Sequence, residues 1–318
     1  MTAASILKVI LHETFGKHNI RRQTEPDLVM KEESSVSAYV AAGREIDVMK
    51  PVYLFHAAQI SEILKPGDTA IDLACGPATL LCMVAGMNPS VKFIGFDLSE
   101  EMLGYARQYA AECGLKNIEF RHSDITKLES LGDASVDAVF STLALHHLPD
   151  EEHLDKVFAE VARVLRPDGG VYLLDFGLLK TDAAIRLFAY QYAHCQPEVF
   201  TIDYYNSLLA AFPSECFDRL ARKHLAGRAK TFFAFPGPYN VAVKSPARNT
   251  VNGRVVTLLA GYAVALQGSQ ASDLKGLRIS FGLGGLKSSL LDQALAGRKL
   301  TESAGGATVA EGIEPVGV

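Results

Sequence analysis

The chain has 318 residues, of which 48% are hydrophobic and 21% charged, and a formal net charge of −5. This is enough for one large domain, or one domain with a small appendage. The acidic balance without any basic block disfavours a nucleic-acid partner, and no apolar run reaches the ~18 to 20 residues of a membrane span, so we expect neither kind of partner.

The N-terminal segment MTAASILKVILHETFGKHNIRR is basic and amphipathic, as organelle transit peptides are, but it lacks their serine content. We therefore expect residues 1–50 to form a helical cap. The five cysteines are odd in number and form no CxxC pair, which indicates a reducing compartment and a cytoplasmic protein.

Short apolar runs alternate with helical patterns between residues 70 and 180. The strand candidates are TAIDLA, KFIGFDL, IEFRHSD, VDAVFSTLAL and VYLLDFG, and between them lie ATLLCMVAGM, SEEMLGYARQYAAECG and DEEHLDKVFAEVARVL. In the last segment, apolar residues recur at the spacing of an amphipathic helix, and Ser99 is a suitable N-cap for the one before it. The alternation predicts an α/β fold with a doubly wound, mostly parallel sheet covered on both faces.

Two further regions complete this domain, which we place at residues 51–246. Residues 181–228 are predicted to be helical, with aromatic-rich pieces LFAYQYAH and YYNSLLAAF. The segment KTFFAFPGPYNVAVKSP then predicts two strands around a Pro-Gly-Pro turn, and strands joined so tightly are antiparallel.

The composition changes after about Ala247, where aromatic residues become rare and Gly, Ser and Ala increase. We expect residues 247–318 to be an extension with two weak helices at most before residue 301, and disorder over residues 302–318. Truncation after about Arg248 would then leave a folded core. The competing expectation is that the apolar run RVVTLLAGYAVAL packs on the domain or on a second subunit.

Three predicted strands end in an acidic residue. Asp72 stands in AIDLACGPATLL, where only Gly76 remains of the G-x-G-x-x-G pattern, so pyrophosphate binding by a dinucleotide is disfavoured. Asp97 ends the next strand, in the position from which a carboxylate reaches the two hydroxyls of a ribose. Asp124 ends the third strand, and an adenosine fits this arrangement.

The ordered segments DLACGPATL, GFDLSEEML, SDITKL, FSTLALHHLPD and ARVLRPDGGVYLLDF resemble those of the class I S-adenosylmethionine-dependent methyltransferases. The resemblance covers about residues 36–246 and implies S-adenosylmethionine as the cofactor and a seven-stranded sheet with a reversed last strand. Ala74 and Ala78 stand where the family has glycines, a small-for-small change that we expect to keep the backbone approachable at Gly76. The cofactor-binding residues predicted in this way are Tyr39, Asp72, Ala74, Gly76, Asp97, Leu98, Met102, Asp124, Ile125 and Thr142.

Candidate catalytic residues follow the fourth and fifth strands, at the edge where ligands of open sheets bind. His146 and His147 are candidates to orient a substrate hydroxyl or accept its proton, and Asp175 is a candidate to bind substrate. The alternatives are that a histidine only packs and hydrogen-bonds to the backbone, and that Asp175 only caps. Adjacent histidines suit shared metal ligation poorly, so no metal site is predicted. In the insertion that in this family often covers the substrate, four tyrosines and a histidine are candidate lining residues: Tyr190, Tyr192, Tyr204, Tyr205 and His194.

The sequence therefore predicts methyl transfer to the O, N or C atom of a small-molecule acceptor. One alternative is arsenite methylation, for which Cys195 and Cys216 lie in a suitable region but no suitable cysteine precedes the cofactor motif. A second alternative is a non-catalytic module that only holds the cofactor. The sequence identifies neither the acceptor nor the oligomeric state.

Overall fold

The computed structural model describes residues 3–17, 19–25, 48–194 and 196–303. In this part of the chain one sheet of seven strands has the order β3-β2-β1-β4-β5-β7-β6. The strands are β1 (Thr69–Leu73), β2 (Lys92–Asp97), β3 (Ile118–His122), β4 (Val136–Thr142), β5 (Leu165–Phe176), β6 (Lys230–Phe233) and β7 (Asn240–Lys244).

Helices connect and flank these strands. They are α1 (Ala3–Phe15), α2 (Lys50–Ser61), α3 (Thr79–Met87), α4 (Glu100–Glu112), α5 (Glu151–Val164), α6 (Asp182–Ala189), α7 (Glu198–Ala210), α8 (Ser214–Leu225), α9 (Gly253–Ala265), α10 (Ser269–Leu283) and α11 (Ser289–Ser303). A short 3₁₀ turn, Leu145–His147, follows β4. None of the described helices is both long and apolar enough to cross a lipid bilayer.

The sheet confirms the predicted fold class. Strands β1 to β5 pair in parallel, whereas β7 lies antiparallel between β5 and β6, as the Pro-Gly-Pro segment predicted. Strand β1 has β2 on one side and β4 on the other, so the strand order reverses there. In open α/β sheets the carboxyl ends of the strands at such a reversal enclose the ligand crevice.

Helix α5 illustrates how the sequence pattern forms the core. Asp150 caps its first turn by accepting a hydrogen bond from the backbone N–H of His153 at 3.0 Å. The apolar stripe predicted for this helix is buried, with Leu154, Val157, Phe158, Val161 and Val164 inside. This stripe packs against the inner face of the sheet and the apolar face of α8, so one face of the sheet is covered.

The C-terminal region differs from the expectation of two weak helices, because α9, α10 and α11 are three helices built into the core. Leu259, Phe281 and Leu290 have no exposed surface, and the ring of Phe281 stacks on that of Phe55 in α2 at 5.0 Å. This packing supports the competing expectation, that the apolar run packs on the domain, and the folding of a chain truncated near Arg248 stays a prediction. Residues 304–318 lie outside the described residues, so disorder there stays a prediction.

We predict that Leu259→Ala lowers the free energy of unfolding by about 2–5 kcal/mol, because it leaves a cavity in a closely packed core. The matched control is Val264→Ala on the same helix, where the side chain is 63% exposed and a change below about 0.5 kcal/mol is expected. Urea unfolding of both variants measures the difference. Equal, small effects would show that α9 does not stabilise the domain.

Candidate active site

The turn between β1 and α3 is the first element of the site. Ala74, Gly76 and Ala78 all have positive φ angles, of 58°, 54° and 62°. Glycine adopts this conformation freely, whereas each alanine costs roughly 1 kcal/mol or more. The two alanines predicted as harmless replacements are therefore strained. A Cβ placed on Gly76 would meet no atom within 4 Å, so the backbone of this turn faces open space.

Two carboxylates lie side by side beneath this turn. Asp97 is fixed, since its oxygens accept hydrogen bonds from the backbone N–H groups of Gly76 at 2.7 Å and Ser99 at 2.8 Å. Asp72 is only 4% exposed, and its Oδ1 accepts no hydrogen bond from any described residue. Burial and, to a smaller degree, the charge of Asp97 raise the pKa of Asp72 well above its usual range. This orphaned oxygen favours a ligand that brings a positive charge or a hydrogen-bond donor.

The other predicted cofactor residues surround the same cavity, which has a volume of about 830 Å³. They are Ala74, Leu98, Met102, Asp124, Ile125 and Thr142, and they all line it together with Asp72, Gly76 and Asp97. Asp124 also forms a local turn, because its Oδ1 accepts hydrogen bonds from the backbone N–H and hydroxyl of Thr126. Tyr39 lies outside the described residues.

The predicted catalytic residues His146 and Asp175 form a buried pair. Asp175 has no exposed surface, and its Oδ1 lies 2.7 Å from His146 Nδ1 while its Oδ2 accepts the backbone N–H of His146 at 2.9 Å. A carboxylate on Nδ1 keeps a proton there, so Nε2 is the nitrogen that can accept another proton, and it lies 4.0 Å from Glu25 Oε1. Asp175 thus accepts a backbone N–H, as the alternative for this residue expected, and it also holds the imidazole of His146 in one orientation.

Glu25, which the sequence analysis did not single out, pairs with His147. Its Oε2 lies 2.5 Å from His147 Nδ1, and its Oε1 accepts a hydrogen bond from the Ser207 hydroxyl at 2.9 Å. Burial lowers the pKa of His147, but the hydrogen bond and charge of Glu25 outweigh it, so the pKa is raised. The two adjacent histidines thus differ in their partners, since Nδ1 of His146 faces Asp175 and Nδ1 of His147 faces Glu25. No local motif marks Glu25 in the sequence.

Potential ligand atoms of Glu25, His146 and His147 lie within 4.8 Å of one another, which is close enough for all three to bind one metal ion. The hydrogen-bonded pair of Glu25 and His147 accounts for this arrangement without an ion. The absence of a metal site stays a prediction.

Arg22 fixes the loop that carries both histidines. Its guanidinium donates hydrogen bonds to the carbonyl oxygens of His146, Leu148 and Pro149 at 2.8, 2.5 and 2.7 Å, and it also binds the carbonyl of Ala210 at 2.7 Å. In the sequence, Arg22 is only one of several basic residues near the N-terminus. Here the guanidinium instead attaches the N-terminal arm, residues 19–25, to the 3₁₀ turn after β4.

The insertion after β5 supplies the far wall of the cavity. Of its predicted lining residues, Tyr192 and Tyr204 line the cavity. The Tyr192 hydroxyl donates to Asp273 of α10 at 2.8 Å, which joins the insertion to the C-terminal helices. The others do not line the cavity: Tyr205 donates to Asp182 at 2.6 Å, Tyr190 is 44% exposed and His194 is exposed.

Comparison with known proteins was made for both sequence and structure. Residues 64–210 match a family model described as a methyltransferase domain. Demethylmenaquinone methyltransferases of Bacillus cereus and Bacillus anthracis are 32% identical over 153 residues, which is 46% of this chain. The match spans 63% of the length of these relatives, less than two thirds.

Two solved structures are also similar. The plantazolicin methyltransferase, solved in complex with SAH, has a TM-score of 0.50 and 15% identity and covers 85% of this chain and 90% of its own. An S-adenosylmethionine-dependent methyltransferase from Aquifex aeolicus has a TM-score of 0.47 and 20% identity and covers 68% and 98%. The first likeness shows that the fold is shared.

We predict that Glu25→Gln lowers the pKa of His147, because burial then acts without the opposing carboxylate. In the wild type the raised pKa of His147 gives stability that is lost as pH rises through it, and the lowered pKa of Glu25 gives stability that is lost as pH falls through it. The stability difference between wild type and variant should therefore be largest between their ordinary pKa values, about 4.5 and 6.5.

Imidazole NMR titration and urea unfolding across pH measure the two effects. Glu101→Gln, at an exposed position of α4, is the control and should leave the His147 titration unchanged. An unmoved His147 pKa in Glu25→Gln would contradict the pairing.

Proposed function

We propose that the chain, whose residues 64–210 match a family model described as a methyltransferase domain, transfers a methyl group from S-adenosylmethionine to a small-molecule acceptor. The observation that carries this proposal is the orphaned oxygen of Asp72 beside Asp97, under a turn whose backbone faces open space. A ligand with both a cationic amino group and vicinal hydroxyls complements these two carboxylates.

The described residues fit this cofactor. Asp72 would pair with its amino group, and Asp97, whose oxygens each keep a free lone pair, would accept the two ribose hydroxyls. The adenine would lie between the apolar side chains of Leu98, Met102 and Ile125, with Asp124 at its edge. When bound, S-adenosylmethionine supplies a methyl group already activated on a sulfonium.

The chain itself then has to align the acceptor, exclude water and accept a proton from the acceptor. The predominantly apolar lining of the cavity serves the first two, and alignment of reactants can contribute several kcal/mol. His146 is the proposed general base, because Asp175 fixes its tautomer and leaves Nε2 free for the acceptor proton. His147, whose pKa is raised by its pairing with Glu25, lies next to this base.

A small-molecule acceptor is supported by two observations. The described residues that line the cavity include no lysine or arginine, which phosphate-rich nucleic acids would need. The Bacillus relatives are named for methylation of demethylmenaquinone, also a small molecule. The acceptor atom, O, N or C, is one that has to lose a proton.

The alternatives have less support. Arsenite methylation requires converging thiolates, but no group of three metal-ligand residues among the described ones contains a cysteine, and Cys216 Sγ donates to Glu151 at 3.1 Å. Cys195 lies outside the described residues. The oriented pair of His146 and Asp175 favours a catalytic role over a module that only binds the cofactor.

We predict from calorimetry that the protein binds S-adenosylmethionine and S-adenosylhomocysteine and does not bind NAD. Asp97→Ala should weaken binding by about 10- to 100-fold, because two hydrogen bonds to a charged group are lost. Asp218→Ala on the outer face of α8 is the control. Tight NAD binding without a response to either sulfur compound would refute the cofactor assignment.

We also predict that His146→Ala lowers kcat for methyl transfer by about 10²- to 10⁴-fold, the usual contribution of a general base, and leaves the affinity for S-adenosylhomocysteine within about twofold. The assay transfers labelled methyl groups to a metabolite extract of the source organism. His224→Ala, at a histidine paired with Asp155 outside the cavity, is the control. A fully active His146→Ala would remove the base from the proposal, and no labelled product with wild type would favour the non-catalytic module.

A further inference from the structure

Asp203 is a carboxylate of the cavity that the proposed base mechanism does not use. It lies on α7, lines the cavity and has no hydrogen-bond or ion-pair partner among the described residues. Burial and the charge of Glu25 raise its pKa, while His147 and His146 oppose that effect. These two histidines therefore lie near enough to act on Asp203 electrostatically, which places its unpaired carboxylate beside the proposed base.

The charges around this point are mostly negative. The carboxylates are Glu25, Asp175 and Asp203, and the only facing cations among described residues are protonated His147 and Arg22. Arg22 is already committed to four backbone carbonyl oxygens, and no lysine or arginine of the described chain lines the cavity. Among the described residues, the carboxyl of Asp203 is therefore the group that lacks a partner next to the proposed position of the acceptor.

Aromatic rings make up much of the same wall. Phe176 lies 5.1 Å from the ring of His146 and 5.4 Å from that of Tyr204, measured between centroids. The aromatic lining residues are Tyr53, Phe176, Phe188, Tyr192, Phe200, Tyr204, Phe235 and Tyr239. Aromatic faces attract organic cations, and a ring of them with a carboxylate is the usual recognition site for an ammonium group.

We propose that the acceptor is a small amine, which binds as its ammonium ion against Asp203 and the aromatic wall and is methylated on nitrogen. This inference rests on the proposed function and narrows its acceptor to one chemical class. An acidic acceptor would meet no lysine or arginine among the described lining residues, and His147 is already paired with Glu25. A neutral hydroxyl acceptor would not supply a charge to the carboxyl of Asp203, whereas an ammonium ion would.

The proposed step is balanced. An ammonium N–H gives its proton to Nε2 of His146, which frees the nitrogen lone pair. The lone pair forms the new bond to the methyl carbon while the carbon–sulfur bond breaks and its electron pair stays on sulfur, giving a thioether. The positive charge of the sulfonium passes to the methylated nitrogen, and His146 releases its proton to solvent.

The test uses the full-length protein, methyl-labelled S-adenosylmethionine and a metabolite extract of the source organism, followed by cation-exchange separation of the labelled products. The unreacted donor is a sulfonium cation and also binds the exchanger, so the profile is compared with that of a reaction without the protein, and we expect the new labelled product in the basic, cation-binding fraction. With the compound recovered from that fraction as substrate, Asp203→Asn should raise KM about 10- to 100-fold, the effect of losing a charge-assisted bond, with the affinity for S-adenosylhomocysteine within twofold. Asp218→Asn, at a carboxylate of α8 that is paired with Arg222 and does not line the cavity, should change KM less than threefold.

Each outcome has one meaning. Label in the neutral or acidic fraction overturns the amine assignment and leaves the proposed methyl transfer intact. Equal effects of Asp203→Asn and Asp218→Asn, or a loss of affinity for S-adenosylmethionine in Asp203→Asn with unchanged acceptor KM, overturn the role of Asp203 in acceptor binding. No label in any fraction refutes the proposed function, and the amine assignment with it.

Discussion

The constraint on which the rest of the site depends is a pair of buried acids, Asp72 and Asp97, at the carboxyl ends of two neighbouring parallel strands. Parallel register places the ends of β1 and β2 side by side, with Leu73 opposite Phe96. Asp97 is satisfied by backbone N–H groups, but Asp72 is not, and its raised pKa expresses the cost of ionising it there. Such a pair is unfavourable in the protein alone and favourable when a ligand supplies the missing charge.

Segments distant in sequence close the cavity above this pair. The N-terminal arm brings Glu25 to His147 and is attached through Arg22 to the loop after β4. The insertion after β5 brings Asp203 and several aromatic rings, and α10 meets it through Asp273. The sheet therefore provides the two acids, and the added segments provide the wall to which we assign acceptor binding.

Much of the fold could be predicted from the sequence, because alternating strand and helix patterns depend on local periodicity. The acids at strand ends, and the positions of His146 and Asp175 at the same edge of the sheet, could also be predicted, since parallel strands end at one edge. Glu25 and Arg22 were not, because their partners are more than 100 residues away and no spacing marks them. The C-terminal helices were misjudged because their aromatic-poor composition hides the few side chains, such as Leu259 and Phe281, that each buries against the domain.

The central claim is that the orphaned carboxyl of Asp72 is completed by the amino group of the cofactor. Carboxyl ¹³C NMR of selectively labelled protein, with Asp72→Asn to assign the signal, would measure its pKa with and without S-adenosylhomocysteine. The account predicts a pKa above the ordinary value of 3.8 in the free protein and a clear decrease on binding. An ordinary pKa in the free protein, or no change when the ligand is bound, would contradict it.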